Sequence, residues 1–294
     1  MQITHTPHYD SYRSGSLTDT QTATQGGAVL MGGGKDVEEA FRWMIDRSGG
    51  GDFLVLRASG EDGYNDFVTQ AGPAASVESV VFKDREASFA PEIIDKLDHA
   101  EAIFLAGGDQ SKYMEYWKGT PVEDALNRAI ERGAPIGGTS AGLAVLGDKV
   151  FAARQGGVSS DEVLKDPFDP AVDVEPGLVH LPFLQGALTD THFSQRDRMG
   201  RLVTFLARAE EAHGIGVDEG TAVLVDPDGK GRIVGNNAAY FVQATHPPSV
   251  CQPGVPLVED GLRVNQLQAG DHFDLSSWRA PAVIPMRSRR PMAC

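Results

Sequence analysis

Several features that mark common protein classes are scarce in this sequence. Only two of its 294 residues are cysteines, Cys251 and Cys294, too few for a zinc site built from paired C-x-x-C elements; whether they form a disulfide is left open. No apolar run approaches the ~18 residues that span a bilayer, so we expect no membrane partner. The first 25 residues are polar and lack the apolar centre of a signal peptide. We therefore expect a cytoplasmic protein, or a secreted one if a signal peptide has been removed.

Basic residues are also few. The chain has 26 Lys and Arg residues against 41 Asp and Glu residues, which gives a formal net charge of -15. Nucleic-acid binding depends on a basic surface that releases counterions, so we expect no nucleic-acid partner. The acidity either attracts cationic substrates or only keeps the protein soluble. The sequence leaves the oligomeric state open, a homodimer included.

Nucleotide-binding signatures are absent as well. The segment Gly32-Gly33-Gly34-Lys35 has neither the spacing of a phosphate-binding loop nor the G-x-G-x-x-G pattern, and the turn at Gly107 fits neither. This weakens the interpretation of the chain as a non-catalytic ligand-binding module. We expect no metal ion and no organic cofactor.

Apolar runs of strand length alternate with segments of helical spacing through the first half of the chain. Strands are predicted at 27–31, 53–57, 79–82 and 102–106, and helices at 36–47, 91–99 and 121–132. This alternation predicts the α/β class, with a mostly parallel sheet and helices on both faces. Short runs separated by turns predict a β-rich C-terminal part. We divide the chain into a polar leader at 1–25, an α/β catalytic domain at 26–245 and a C-terminal extension at 246–294.

The segment from Gly138 to Gly142 (GTSAG) fits G-x-S-x-G, the nucleophile elbow. In this turn a strand passes sharply into a helix and lifts the serine hydroxyl above the sheet edge, where glycines avoid collisions of the backbone. Ser140 is therefore the predicted nucleophile. Acyl transfer also needs two backbone N–H groups to bind the oxyanion. We assign them to Ala141 and to a glycine at the end of a neighbouring strand, Gly108.

A serine nucleophile needs a base, usually a histidine that a carboxylate orients. Of the eight histidines, His192 stands out because arginines follow it at 196, 198 and 201 in an otherwise acidic chain. Such a cluster suggests a site for a carboxylate, although a solvated helix turn with Asp190 and Asp197 has the same pattern. By contrast, the apolar surroundings of His180 predict a core residue.

Four segments, taken together and in this order, resemble the cyanophycinases, serine peptidases related to the aspartyl dipeptidases. They are 106–110 (AGGDQ), 137–142 (GGTSAG), 190–202 (DTHFSQRDRMGRL) and 214–222 (GIGVDEGTA). The resemblance implies a flavodoxin-like α/β core similar to class I glutamine amidotransferases. By matched motif it also implies a triad of Ser140 as nucleophile, His192 as general base and acid, and Glu219 as the orienting carboxylate. Asp218 is the competing carboxylate.

The family cleaves cyanophycin, a polyaspartate with arginine attached to each side-chain carboxyl group, into β-aspartyl-arginine dipeptides. The resemblance assigns substrate binding to Gln110, Asp190, Thr191, Arg196, Arg198 and Arg201. The charges agree in outline, because arginines can hold aspartyl carboxylates and an acidic residue can hold a guanidinium. Thr191 departs from the family, whose members usually carry glutamine there. An aspartyl dipeptidase for α- or β-linked peptides therefore stays open as the alternative.

Overall fold

The computed structural model describes residues 1–280, which form two larger β-sheets, a hairpin and the helices packed on them. The strands are β1 Gln2–His5, β2 Tyr9–Gly15, β3 Ala28–Met31, β4 Asp52–Arg57, β5 Ser76–Phe82, β6 Ala102–Leu105, β7 Ile136–Thr139, β8 Lys149–Phe151, β9 Val174–Pro176, β10 Ala187–Asp190, β11 His213–Val217, β12 Thr221–Val225, β13 Lys230–Gly235, β14 Ala238–Ala244, β15 Val250–Gln252, β16 Val255–Val258, β17 Leu262–Gln268 and β18 His272–Asp274. The α-helices are α1 Glu38–Arg47, α2 Asn65–Ala71, α3 Pro91–His99, α4 Gln110–Trp117, α5 Pro121–Glu131, α6 Ala141–Ala144, α7 Ser160–Lys165 and α8 Met199–Ala209.

The main sheet has ten strands in the order β1-β2-β5-β4-β6-β7-β3-β12-β13-β18. Its five central strands, β5, β4, β6, β7 and β3, are parallel. Antiparallel strands extend both edges, β2 and β1 beyond β5, and β12, β13 and β18 beyond β3. The predicted α/β class is confirmed, with parallel pairing concentrated in the centre. Because these central strands are parallel, their carboxyl ends meet at one edge of the sheet.

The second sheet has six strands in the order β17-β14-β11-β10-β8-β9. Strand β10 is parallel to β11, with Asp190 opposite Gly216. Residues that follow these two strands therefore emerge side by side. The Thr189 hydroxyl of β10 donates a 2.8 Å hydrogen bond to the carbonyl of Leu143, in α6 just after β7. This contact ties the end of β10 to the carboxyl edge of the main sheet.

Apolar side chains cover both faces of the main sheet. Along β4, Leu54 and Leu56 face a first core that also contains α3, α4 and α5, whereas Phe53 and Val55 face a second core that contains α1 and α2. This alternation is typical of a strand that is buried on both faces. In α1 the buried residues follow helical spacing and form one stripe: Ala40, Phe41, Met44 and Ile45. The predicted placement of helices on both faces is confirmed.

Residues 2–15 of the predicted polar leader form β1 and β2 of the main sheet. Strand β2 pairs with β5 along its whole length, from Tyr9 opposite Phe82 to Gly15 opposite Ser76, and Tyr9 and Tyr12 are buried. The polar residues of this strand masked it in the sequence, although Ser11 is buried and Asp10, Arg13 and Ser14 are partly buried. In the predicted C-terminal extension, β15 and β16 form a separate hairpin, while β17 and β18 pair with β14 and β13. The domain boundaries at 26 and 246 stay predictions.

The prediction of His180 as a core residue is wrong. Its side chain is exposed, while its neighbours Val179 and Leu181 are buried. The backbone N–H of His180 donates to Asn127 Oδ1, which fixes the local chain with the imidazole turned outward. Cys294 lies outside the described residues, so the question of a disulfide with Cys251 stays open. Among residues 1–280, no helix combines the length and apolarity required to cross a membrane.

Candidate active site

Ser140 lies in the turn between β7 and α6, with φ 51° and ψ −117°. A positive φ is strained for a residue that carries a Cβ, and such strain is typical of a nucleophile elbow. Close packing explains the flanking glycines. A Cβ at Gly142 would lie 1.9 Å from the carbonyl oxygen of Leu105, and one at Gly138 would lie 2.5 Å from the carbonyl carbon of Gly142. The turn places the Ser140 hydroxyl at the carboxyl edge of the main sheet.

His192 is the second residue after β10, and its imidazole lies between Ser140 and Glu219. Its Nε2 is 2.7 Å from Ser140 Oγ, and its Nδ1 is 2.6 Å from Oε1 of Glu219. The His192 backbone N–H donates a 2.8 Å hydrogen bond to the carbonyl of Gly32, which fixes the loop after β10. When Nδ1–H donates to the carboxylate, Nε2 is left to accept the serine proton. The three side chains form one continuous hydrogen-bonded chain.

The two adjacent carboxylates after β11 have different surroundings. Asp218 is buried, and its carboxylate accepts hydrogen bonds from the backbone N–H groups of Ser194 at 2.8 Å and Ala238 at 3.3 Å. Glu219 contacts the imidazole, and its own backbone N–H donates to Oε1 of Gln195 at 2.9 Å. Asp218 thus holds the turn after His192 against β14, whereas Glu219 orients the imidazole.

The surroundings of His192 favour the neutral imidazole. Burial lowers its pKa below the usual value, and the nearby guanidinium groups of Arg196 and Arg198 lower it further, while the carboxylate of Glu219 opposes the shift. Burial disfavours the charged form because the imidazolium loses hydration. A neutral imidazole at neutral pH is the form that can act as a base toward Ser140.

The Gly32–Gly34 segment after β3 lies against the side chains of His192 and Glu219. A Cβ at Gly33 would lie 2.6 Å from Nε2 of His192, and a Cβ at Gly34 would lie 3.0 Å from Oε2 of Glu219. Gly33 has φ 98° and Gly34 has φ 70°, a region that glycine adopts easily. Sequence reasoning considered these glycines only as a ligand cradle. Their position in the sequence could have indicated this role, because they follow a parallel strand and so lie at the same edge of the sheet as Ser140.

Of the two predicted oxyanion donors, Ala141 follows Ser140 directly, and Gly108 follows a glycine that lies beside Ser140. A Cβ at Gly107 would be 3.5 Å from the Cβ of Ser140, so the Gly107–Gly108 segment passes close to the serine. Gly108 has φ 154°, and the Tyr113 hydroxyl donates to the carbonyls of Ala106 and Gly107 at 2.8 and 3.2 Å. Within residues 1–280, the N–H groups of Gly108 and Ala141 are paired with no backbone acceptor. The assignment of these two N–H groups as oxyanion donors stays a prediction.

Two of the predicted substrate residues are paired with each other and buried. Arg201 is 4% exposed and Asp190 is 2% exposed, and Nε of Arg201 donates to Oδ2 of Asp190 at 2.7 Å. The Arg201 guanidinium also lies 5.5 and 5.7 Å from the ring centroids of Phe151 and Phe205. This arrangement makes the pair a support beneath the site, with little surface to offer a substrate.

The other predicted substrate residues differ in how much of each is accessible. Arg198 donates to the carbonyl and hydroxyl of Thr191 at 2.8 and 3.1 Å, and Thr191 is buried. Burial lowers the pKa of Arg198 to about 10, so its guanidinium stays charged at neutral pH. Arg196 is exposed, and Nε2 of Gln110 donates to the carbonyl of Phe151. Arg196 therefore supplies accessible positive charge beside His192, whereas the charge of Arg198 lies in a largely buried position.

Among the described residues, one group has donor atoms close enough to hold a metal ion. His246, Glu259 and Asp260 have ligand atoms within 4.8 Å of one another at the base of the β15–β16 hairpin. Nδ1 of His246 donates to the carbonyl of Pro247 at 2.9 Å, so its Nε2 faces the two carboxylates. The expectation that catalysis needs no metal stays a prediction.

Comparison with known proteins places the chain in a peptidase family. The model of peptidase family S51 matches residues 74–233. A cyanophycinase from Trichormus variabilis is 29% identical over 272 residues, which cover 87% of this chain and 88% of that protein. A cyanophycinase from Synechococcus elongatus is 30% identical over 277 residues, which cover 88% of this chain and 83% of that protein.

A solved structure shares the fold. A crystal structure of a peptidase from an acI-B1 Actinobacterium superposes with a TM-score of 0.61 at 18% identity, and the match covers 86% of this chain and 98% of that chain. Together with the sequence matches, this defines a serine-type peptidase, a hydrolase with an α/β fold. The chain belongs to peptidase family S51, and the predicted resemblance to the cyanophycinases is confirmed.

Proposed function

We propose that this protein hydrolyses cyanophycin to β-aspartyl-arginine dipeptides through the triad Ser140, His192 and Glu219. The observation that carries the proposal is the hydrogen-bonded chain in which Ser140 Oγ and Glu219 Oε1 lie 2.7 and 2.6 Å from the two ring nitrogens of His192. The relatives named cyanophycinase support the choice of substrate. The chain's own arginines at 196 and 198 supply positive charge that suits aspartyl carboxylates.

The proposed mechanism is acyl transfer. Ser140 Oγ attacks the peptide carbonyl while its proton passes to Nε2 of His192, and the oxyanion is bound by the N–H groups of Ala141 and Gly108. Collapse of the tetrahedral intermediate breaks the peptide bond, and His192 returns the proton to the leaving amine. Water then attacks the acyl-enzyme with His192 as base, which releases the acid and restores the serine. No step requires a cofactor.

In this proposal the substrate residues divide into two groups. Arg196, which is exposed, contacts a substrate carboxylate, and Arg198 supplies a second positive charge beside His192 from a largely buried position. Gln110, at the start of α4, contributes an amide to the same side of the site. Asp190 and Arg201 act indirectly, since their buried pair fixes the loop that carries Thr191 and His192.

The test is to incubate the purified protein with insoluble cyanophycin and to identify the soluble products by mass spectrometry. We expect β-aspartyl-arginine dipeptides from the wild type and none from Ser140→Ala or His192→Ala, whose circular dichroism should match the wild type. Turnover of short aspartyl peptides without release from the polymer would instead favour the aspartyl dipeptidase. Labelling of Ser140→Ala by a fluorophosphonate at the wild-type rate would contradict the assignment of the nucleophile.

A further inference from the structure

The carboxylate of Asp36 is half-buried and has few hydrogen-bond partners. Asp36 lies just before α1, where an acidic residue often accepts hydrogen bonds from the helix N-terminus. Here the helix has no side-chain cap, and the contact of the Asp36 carboxylate is a long one, 3.5 Å from the hydroxyl of Tyr64. A normal hydrogen bond between such oxygens is about 2.7 Å. Burial raises the pKa of Asp36, which reflects the loss of hydration around its carboxylate.

No cation neutralises this carboxylate at contact distance within residues 1–280. The positive charge of Arg57 acts on Asp36 from a longer distance, and the two side chains form no ion pair. Its Nη1 donates to the carbonyl of Glu61 at 3.1 Å, and its guanidinium lies 5.6 Å from the centroid of the Tyr64 ring. Lys35, the preceding residue, is exposed. Asp36 therefore retains acceptor capacity that the chain does not use.

Asp36 is close to the proposed reaction centre. A Cβ at Gly34 would lie 3.0 Å from Oε2 of Glu219, and Asp36 follows two residues later, at most about 7 Å along the chain. On the neighbouring strand end, a Cβ at Gly108 would lie 3.6 Å from the hydroxyl of Ser59, which follows Arg57 by two residues. The chain segments that carry Asp36 and Arg57 thus contact Glu219 and the predicted oxyanion donor Gly108 through Gly34 and Ser59.

Asp36 and Tyr64 lie on the opposite face of the main sheet from Gln110. The Tyr64 ring packs against Phe41 of α1 and Phe104, and so belongs to the second core. Gln110 begins α4, whose buried residues belong to the first core. Ser140 stands at the sheet edge between the two faces. Side chains on either face are therefore candidates for contacts with a peptide bound at Ser140.

We propose that Asp36 forms a second substrate subsite, which binds a guanidinium or ammonium group of the substrate on the face of the main sheet opposite to Gln110. The inference rests on the proposed function and adds a residue to it. A guanidinium suits the site because it can donate two hydrogen bonds to one carboxylate. Cyanophycin carries such a group on each aspartyl unit.

The kinetic test compares Asp36→Asn with the wild type on β-aspartyl peptides that carry either arginine or its neutral isostere citrulline. We expect Asp36→Asn to lower kcat/KM for the arginine peptide about tenfold or more, the effect of losing one charged hydrogen bond, and to change that for the citrulline peptide less than about twofold. Asp66→Asn, at an exposed acid of the neighbouring helix α2, is the matched control and should keep the wild-type preference. An unchanged preference in Asp36→Asn would overturn the proposal.

A binding test separates this subsite from the proposed function as a whole. Agmatine, a guanidinium compound without a carboxylate, is titrated into each protein by calorimetry at low ionic strength. We expect the wild type and Asp66→Asn to bind alike and Asp36→Asn to bind about tenfold more weakly or worse. Equal affinities, or no binding to the wild type, would refute the subsite. Absence of cyanophycin hydrolysis together with Asp36-dependent agmatine binding would instead refute only the proposed substrate.

Discussion

Replacement of Gly33 with alanine would place a methyl group against the imidazole of His192. The new Cβ would lie 2.5 Å from Cε1 and 2.6 Å from Nε2, whereas relaxed contacts between such atoms are about 3.5 Å. The ring must therefore move by about 1 Å, which breaks the 2.7 Å contact between His192 and Ser140. A misplacement of this size costs about 100-fold in rate, or about 2.7 kcal/mol. We expect kcat/KM and the rate of fluorophosphonate labelling to fall together by that factor.

The positive φ of Gly33 calls for a control that carries the same backbone cost. Gly156 has φ 97° against 98° at Gly33, and a Cβ at Gly156 would meet no atom within 4 Å. Gly156→Ala should therefore lose about 1–2 kcal/mol of unfolding free energy from backbone strain and keep its activity. If Gly33→Ala retained kcat/KM within about threefold of Gly156→Ala, the glycine would not be supporting the imidazole, and the steric reasoning would be wrong.

Three further predictions concern the charges of the site. Burial and the neighbouring arginines lower the pKa of His192, so kcat/KM of the wild type should fall to half its plateau value below pH 6.5, and a midpoint above pH 6.5 would contradict this. Arg196→Ala should move that midpoint upward by only a few tenths of a pH unit, because solvent screens the exposed charge. Glu219→Gln should lower kcat by about 100-fold to 10,000-fold with little change in Tm. Asp218→Ala should instead lower the unfolding free energy by about 1–3 kcal/mol, because two backbone N–H groups lose their acceptor. Initial rates and thermal melts distinguish the two variants, and the reverse pattern would exchange the roles of the two carboxylates. Arg201→Met should destabilise the protein by about 3 kcal/mol in urea unfolding, because it removes the closer guanidinium partner of the buried Asp190 and leaves only the 3.4 Å contact with Arg198. Arg196→Met should stay within about 0.5 kcal/mol of the wild type, and equal stabilities of the two variants would contradict a structural role of the Arg201–Asp190 pair.

Local sequence patterns predicted the regular elements that carry the site. The helix predicted at 91–99 is α3 with the same bounds, and the strand predicted at 53–57 is β4, extended by one residue. Both have strong periodicity and clear boundaries, Pro91 at a helix start and glycines around the strand. The Ser140 turn was also predictable from the G-x-S-x-G pattern. Its glycines at 138 and 142 fit close contacts in the structure that a Cβ would prevent.

Sequence patterns could not supply the long-range geometry. His192 meets Ser140 across 52 positions only because β10 joins the second sheet beside β11 and its end is tied to Leu143. Asp218 and Glu219 are chemically equivalent in the sequence, and their surroundings alone distinguish them. For the same reason Arg201 was interpreted as a ligand residue, since nothing local shows that it is buried against Asp190.

The backbone conformation of Ser140 lowers the stability of the folded protein at a residue that activity requires. At φ 51° and ψ −117° a side chain is disfavoured, and glycine would occupy the same turn without penalty. Ser140→Gly should therefore raise the thermal midpoint while it abolishes hydrolysis, and a lowered midpoint in calorimetry would contradict this. A random-mutagenesis screen for heat resistance alone would then enrich the inactive Ser140→Gly variant. Selection for thermostability therefore has to include an activity assay from the first round.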